Sequence, residues 1–393
     1  MVKTFTLRRG RVRALGRQDA SWFAQAKFVG FEQRQVSMGP LKRLPSIDAM
    51  RGITVAGMLL VNDPGSWSHV YAQLIHSAWN GCTLTDLVFP FFLFMVGVSI
   101  ALAILPRLEQ GAAPRVLRNA ALWRALRIVA LGLLLNAIAA WFPPGRHIRF
   151  PGVLQRIGVC FAVAAMIAIY LPRRGWWIAG VALLAAYTAL LLCGGSLAKW
   201  DSIVDHVDGA VFGRHVWETN ALTGQVHDPE GLLSTLPAIV NSLLGLYAGV
   251  WLRECRFRRL AVASVIALAL GWLWSPWIPF NKNLWTPSFV LWTSGWAALV
   301  LLACYWLVEV RGWPPLGRRF GVNAIAAYAG SEFMQAVLPA WGWQDAIYTH
   351  GFVRWIAPWG GEKLASLGYA IVFVAFWWAI VWWMDRRRIY LKL

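Results

Sequence analysis

The stretch Gln73–Phe94, QLIHSAWNGCTLTDLVFPFFLF, sets a histidine, carboxamides and a carboxylate against one of the most apolar runs of the chain. An imidazole titrates close to neutrality, so His76 is suited to taking or giving a proton. Two readings of His76, Asn80 and Asp86 compete: loop and cap residues, or a reaction site at a membrane surface. Thr83 and Asp86 stand at the T-x-x-D spacing of a capping box, which accounts for Asp86 as the start of a helix. No local rule of that kind accounts for His76.

The segment before it, PSIDAMRGITVAGMLLVND, carries Asp48, Arg51 and Asn62 on a helical pattern. At 100° per residue Arg51 and Asn62 differ by about 20°, and they are separated by roughly 16 Å along the axis. Asp48 and Arg51 are also spaced for an i, i+3 ion pair. Asn62 ends a short helix on the side of His76. Further along lie Arg124 and Arg127, Gln155 and Arg156, Asn241, Asn323 and Glu332, all inside apolar segments. Ionisable groups at membrane depth are expensive, so such a set either pairs internally or lines a functional interior. The chain has no P-loop, G-x-S-x-G, H-E-x-x-H or G-x-G-x-x-G at a strand–helix junction.

The elements that must position these residues are membrane spans. Of 393 residues 58% are hydrophobic and 14% charged, and the mean hydropathy is +0.52. Soluble domains carry about 25% charged residues. Twenty-six tryptophans suit a chain with two bilayer interfaces. The fold expected is all-α, a polytopic membrane bundle of about ten transmembrane helices. They fall near 47–62, 84–104, 117–142, 150–171, 175–194, 232–252, 259–275, 284–308, 320–341 and 364–384. No internal repeat is evident. The net charge of +19 does not indicate nucleic acid, because the basic residues sit in short runs between spans.

Those runs set an orientation. One set of loops and both termini hold 26 of the 37 Lys and Arg residues, and the alternate loops hold seven. By the positive-inside rule both termini are cytoplasmic and His76 faces outward. The domains expected are a basic cytoplasmic arm at 1–43, a transmembrane domain at 44–385 and a basic tail at 386–393. The arm lacks the apolar core of a signal peptide. The five cysteines show no metal-ligand spacing.

The segments RLPSIDAMRGITVAGMLLVN, HSAWNGCTLTDLVFPFFLFMVG, PGVLQRIGV, DPEGLLSTLPAIVNSLLGLYAG and PFNKNLWTPSFVLWTSG, in this order, resemble the heparan-α-glucosaminide N-acetyltransferase family, including its bacterial members. The resemblance runs from about Leu44 to Asp385. It implies a transmembrane acyltransferase of the bacterial cytoplasmic membrane. Acetyl would pass from cytoplasmic acetyl-CoA to the amino group of a glucosamine-type sugar on the far side. The family's active-site histidine matches His76, and its neighbouring asparagine matches Asn62. The lysosomal member carries an extra luminal domain and span ahead of the first motif, where this chain has the basic arm, so recognition of a large polysaccharide does not carry over.

On this reading His76 acts as general base and Asn62 donates to the thioester carbonyl. A thioester is already activated, so no metal is expected. Arg51, Arg124, Arg127 and Arg156 are the candidate partners of the CoA phosphates, which need cations and N–H donors. Asn80, Asp86 and Asp48 are the candidate substrate contacts. A second copy of the chain is a candidate partner alongside lipid. The rival readings are an amino-sugar permease and an O-acyltransferase acting on a periplasmic glycan.

Overall fold

The computed structural model describes residues 44–142 and 147–391. The basic arm expected over 1–43 lies outside the described residues, and the helical unit begins at Leu44.

Helix α1 (Pro45–Asn62) runs into a loop with one 3-10 turn, followed by α2 (Leu84–Ala103) and short α3 (Leu105–Glu109). Then come α4 (Pro114–Trp141), α5 (Val153–Tyr170) and α6 (Arg173–Cys193). An excursion holding α7 (Ile203–Phe212) and a minimal antiparallel hairpin, β1 (Glu218–Thr219) with β2 (Val226–His227), leads to α8 (Thr235–Arg253). The chain closes with α9 (Phe257–Trp274), α10 (Pro287–Tyr305), α11 (Arg318–Val322), α12 (Ala324–Ala340), α13 (Trp343–Tyr348) and α14 (Arg354–Arg386). Pro45, Pro114 and Pro287 each open a helix, where a missing N–H leaves no bond unmade.

All ten apolar segments expected from the sequence are helical, and among the described residues eight helices are long and apolar enough to cross a membrane. The two that fall short are α1, which carries Asp48 and Arg51, and α12, which has 17 residues and carries Glu332. Helix α1 is largely buried, whereas α12 buries only Ala324, Ala327, Tyr328 and Ser331. The last span is continuous with the segment from Trp343 across a kink at Gly361, whose φ of 76° is a left-handed conformation that glycine adopts without strain.

The connections fall at two ends of the bundle, and contacts between distant loops show which share an end. At the end that carries His76, Trp79 Nε1 donates to the Leu197 carbonyl (2.9 Å) and Ser66 N to Ser366 Oγ (3.1 Å). At the opposite end Ser46 N donates to Glu309 (3.1 Å), and Arg173 pairs with Glu254.

Helix α8 is the centre: 78% of its most apolar window is buried, against 17% for α9 at the periphery. It crosses α2 on small residues. A Cβ at Gly97 would stand 1.8 Å from the Ser242 carbonyl oxygen, and one at Gly245 would stand 1.9 Å from that of Phe94. Gly245 and Gly249 form a G-x-x-x-G, the spacing that lets two helix backbones approach closely in lipid. This contact holds the second half of α2 against the centre, and the candidate site is built at the helix's opposite, N-terminal end.

Candidate active site

Thr83 is the N-cap of α2, and Asp86 is at N3. Asp86 has no solvent-exposed surface. Its Oδ2 accepts from Thr83 N (2.9 Å), Thr83 Oγ1 (3.1 Å) and Ser77 N (3.1 Å). Its Oδ1 accepts from His76 Nδ1 at 2.7 Å. The capping role read from the spacing is therefore present, and the same carboxylate also orients the histidine. A carboxylate only accepts, so Nδ1 carries the proton and Nε2 presents its lone pair.

Lys282 Nζ lies 2.9 Å from His76 Nε2 and 3.4 Å from Nδ1, so it stands over the ring and leaves the in-plane lone pair of Nε2 open. Lys282 is held by the loop between α9 and α10. Gly81 N donates to the Phe280 carbonyl (2.7 Å), and Asn281 Nδ2 donates to Asn80 Oδ1 (3.1 Å). Asn281 Oδ1 in turn accepts from Leu284 N at 2.8 Å, which rigidifies the turn. Asp86, His76 and Lys282 thus form one group, with the His76 side chain 43% exposed. Burial lowers the Lys282 ammonium's pKa, against the pull of Glu230 and Asp86.

Glu230 opens a second group at this end. Burial alone would raise its pKa, but Arg149, Lys282 and Arg156 outweigh that and hold it at about 2. Arg149 Nε donates to Asp228 Oδ2 (2.8 Å), and its Nη2 bonds Glu230 as well. Arg149 thereby ties the loop before α5 to the segment before α8.

The predicted residues separate. His76, Asn80, Asp86 and Asn62 lie at one end of the bundle, and Asn80 is engaged as a strut by Asn281. Asn62 closes α1; its carbonyl accepts from Gln335 Nε2 (3.2 Å), and it is not hydrogen-bonded to the His76 array. Asp48 and Arg51 lie near the start of α1. Asp48 stands about 21 Å from Asn62 along the helix, too far to share a contact with His76. Arg51 Nη2 donates to Ser99 Oγ (2.9 Å), and its Nη1 lies 3.5 Å from Asp48, tying α1 to α2. Arg124 lies over the Phe161 ring, and Arg127 donates to the Trp123 carbonyl of its own helix.

Arg156 departs most from its expected grouping with Arg51, Arg124 and Arg127. It opens α5 at the His76 end, is 2% exposed, and its Nη2 donates to the Gly231 carbonyl (3.1 Å) and to Ser234 Oγ. Its Nε and Nη1 have no partner. A position interrupting a span does not tell which end of the bundle holds Arg156; α5 runs back from the His76 end. Lys282, Glu230 and Arg149 were not singled out at all. Lys282 stands in PFNKNLW on the same side as His76, and that shared side was the one signal available.

A helical bundle with eight potential spans among the described residues defines a multi-pass membrane protein, and it carries a carboxylate-oriented histidine at one end. The family model for heparan-alpha-glucosaminide N-acetyltransferase, catalytic, matches residues 43–271, and the chain belongs to that family. It is 28% identical to human heparan-alpha-glucosaminide N-acetyltransferase over 415 residues, covering 89% of this chain and 60% of that protein. The mouse enzyme is also 28% identical, over 78% of this chain and 56% of its own length. The chain thus spans about three-fifths of the curated relatives it matches.

Proposed function

We propose that this protein is a transmembrane N-acetyltransferase that moves acetyl from acetyl-CoA, reached from the cytoplasmic side, to an amino sugar on the outer side. The observation that carries the reading is His76, held by Asp86 through Nδ1 so that the Nε2 lone pair is left for an entering amine. The acceptor amine approaches Nε2 in the plane of the ring to give up a proton. Lys282, over the ring face, adds a cation beside the site, with Glu230 as its counter-charge.

In the reaction the acceptor nitrogen attacks the thioester carbonyl while one of its protons passes to His76 Nε2. The C–N bond forms, the C–S bond breaks, and CoA leaves as thiolate. Asn62 donates to the carbonyl oxygen as charge develops there, a contribution of about 10²–10³ in rate. Asp86 fixes the tautomer that keeps Nε2 free. Of the four arginines first assigned to the CoA phosphates, Arg51, Arg124 and Arg127 remain the candidates. Arg156 belongs instead with the groups around the reacting end.

Membranes containing the protein are expected to form N-acetylglucosamine from glucosamine and labelled acetyl-CoA, and His76→Ala to abolish it. Sugar uptake that proceeds without acetyl-CoA and survives His76→Ala would establish a permease instead. Transfer confined to a hydroxyl acceptor would establish an O-acyltransferase.

A further inference from the structure

Directly after Asn62, Asp63 is a buried carboxylate that the fold does not explain. Its backbone N–H closes α1 by donating to the Leu59 carbonyl at 3.2 Å, so the cap needs no acid side chain. The residue is 5% exposed, and its Oδ2 has no hydrogen-bond partner. Among the described residues no Lys, Arg or His pairs with it. What faces it is the Gln335 side chain, a second carboxylate, Glu332, from α12, and Tyr369 from α14. Glu332 is bonded by Tyr328, one helical turn back. Arg149, which acts on Glu332, is already committed to Asp228 and Glu230.

Two carboxylates without a cation of their own, one with a buried oxygen left bare, are complementary to a positive ligand. A buried charge is tolerated when it is paired. Both lie at the end of the bundle that holds His76, and Asp63 is covalently next to Asn62. An amino sugar in water carries its nitrogen as ammonium. We propose that Asp63 and Glu332 form an ammonium subsite that receives the protonated amine of the acceptor, which gives up one proton to water and the second to His76 as it attacks.

The proposal rests on the acyltransferase reading for its ligand and names the acceptor's recognised feature as its charge. In the free protein burial and Glu332 outweigh the Gln335 bond and push the Asp63 carboxyl up to about 8. An ammonium beside it acts in the opposite sense, because an opposite charge favours the ionised carboxylate. Two carboxyls sharing a proton would satisfy the same groups without any ligand, and the experiment separates the two.

Purified protein in detergent is melted with glucosamine, with glucose and with N-acetylglucosamine. Glucosamine is expected to raise the melting midpoint and the two neutral sugars to leave it unmoved. Asp63→Asn and Glu332→Gln should each abolish that selectivity. His76→Ala, inactive in transfer, should retain it. In steady state Asp63→Asn should raise KM for glucosamine at least tenfold, with KM for acetyl-CoA within twofold of the parent. Equal protection by glucose, or an unchanged glucosamine KM in Asp63→Asn, would overturn the subsite. Absence of transfer to any amine would remove the acyltransferase reading, and the melting series would still decide whether the carboxylates select a cation.

Discussion

At His76 a proton donor and a proton acceptor are told apart by a single partner. Asp86 accepts at Nδ1, so Nε2 is the ring nitrogen left to take a proton. Asp86→Asn keeps the shape but can present its amide N–H to the ring and favour the wrong tautomer. It is expected to reduce kcat by 10-fold or more with KM for glucosamine little changed, read from initial rates. Asp63 supplies a test in the folded state. Its carboxyl is raised from 3.8 to about 8, so the stability it contributes is complete below about pH 4 and is lost as pH rises toward 8. Asp63→Asn is therefore expected to melt higher than the parent, by a margin that widens from pH 4 to 8 and then levels off. A margin independent of pH would show that the carboxyl is not strained by burial. Neither effect was legible in the sequence. The T-x-x-D spacing gave Asp86 a sufficient local reason, and that reason hid its second partner ten residues upstream. Asp63 read as a polar stop after an apolar run, because burial at a helix end is set by segments nearly three hundred residues away.

At the scale of the elements, the spans were legible because lipid demands continuous apolar helix, and that demand is written locally. Two were weaker signals: α1 carries Asp48 and Arg51 and α12 is short and carries Glu332, so hydropathy alone ranks them as weak spans. The direction of each helix placed His76 and Asn62 at one end correctly. It should have placed Arg156 there as well, since α5 begins at that end. The α2–α8 crossing carries a further prediction. Gly245→Val sets a branched side chain against the Phe94 carbonyl, where even a Cβ has no room. Forcing the helices apart is expected to destabilise the protein by about 1–3 kcal/mol, measured as a lowered midpoint in detergent. Activity should fall further than stability, because α2 begins at the cap that holds His76.

For the whole molecule, sidedness is the property that separates a transmembrane transferase from a membrane-bound one. Five cysteines are free, and two exposed ones, Cys193 and Cys255, lie at opposite ends of the bundle. A membrane-impermeant maleimide applied to sealed, right-side-out vesicles is expected to label Cys193 and to reach Cys255 only after permeabilisation. Cys193→Ser and Cys255→Ser identify the labelled thiol. The reverse pattern would invert the orientation drawn from the basic loops and move the acceptor to the other side. The matched relatives extend well beyond the region shared with this chain, so the acceptor of either mammalian enzyme is no guide to the size of the sugar used here.

The carboxylate of Asp86 makes the opening turn of α2 and the aim of the histidine one inheritance. A substitution there acts on a helix start and on the orientation of a side chain in the same step. Ser77 and Thr83 differ in kind, since each of their bonds to the carboxylate can be lost singly while the others remain.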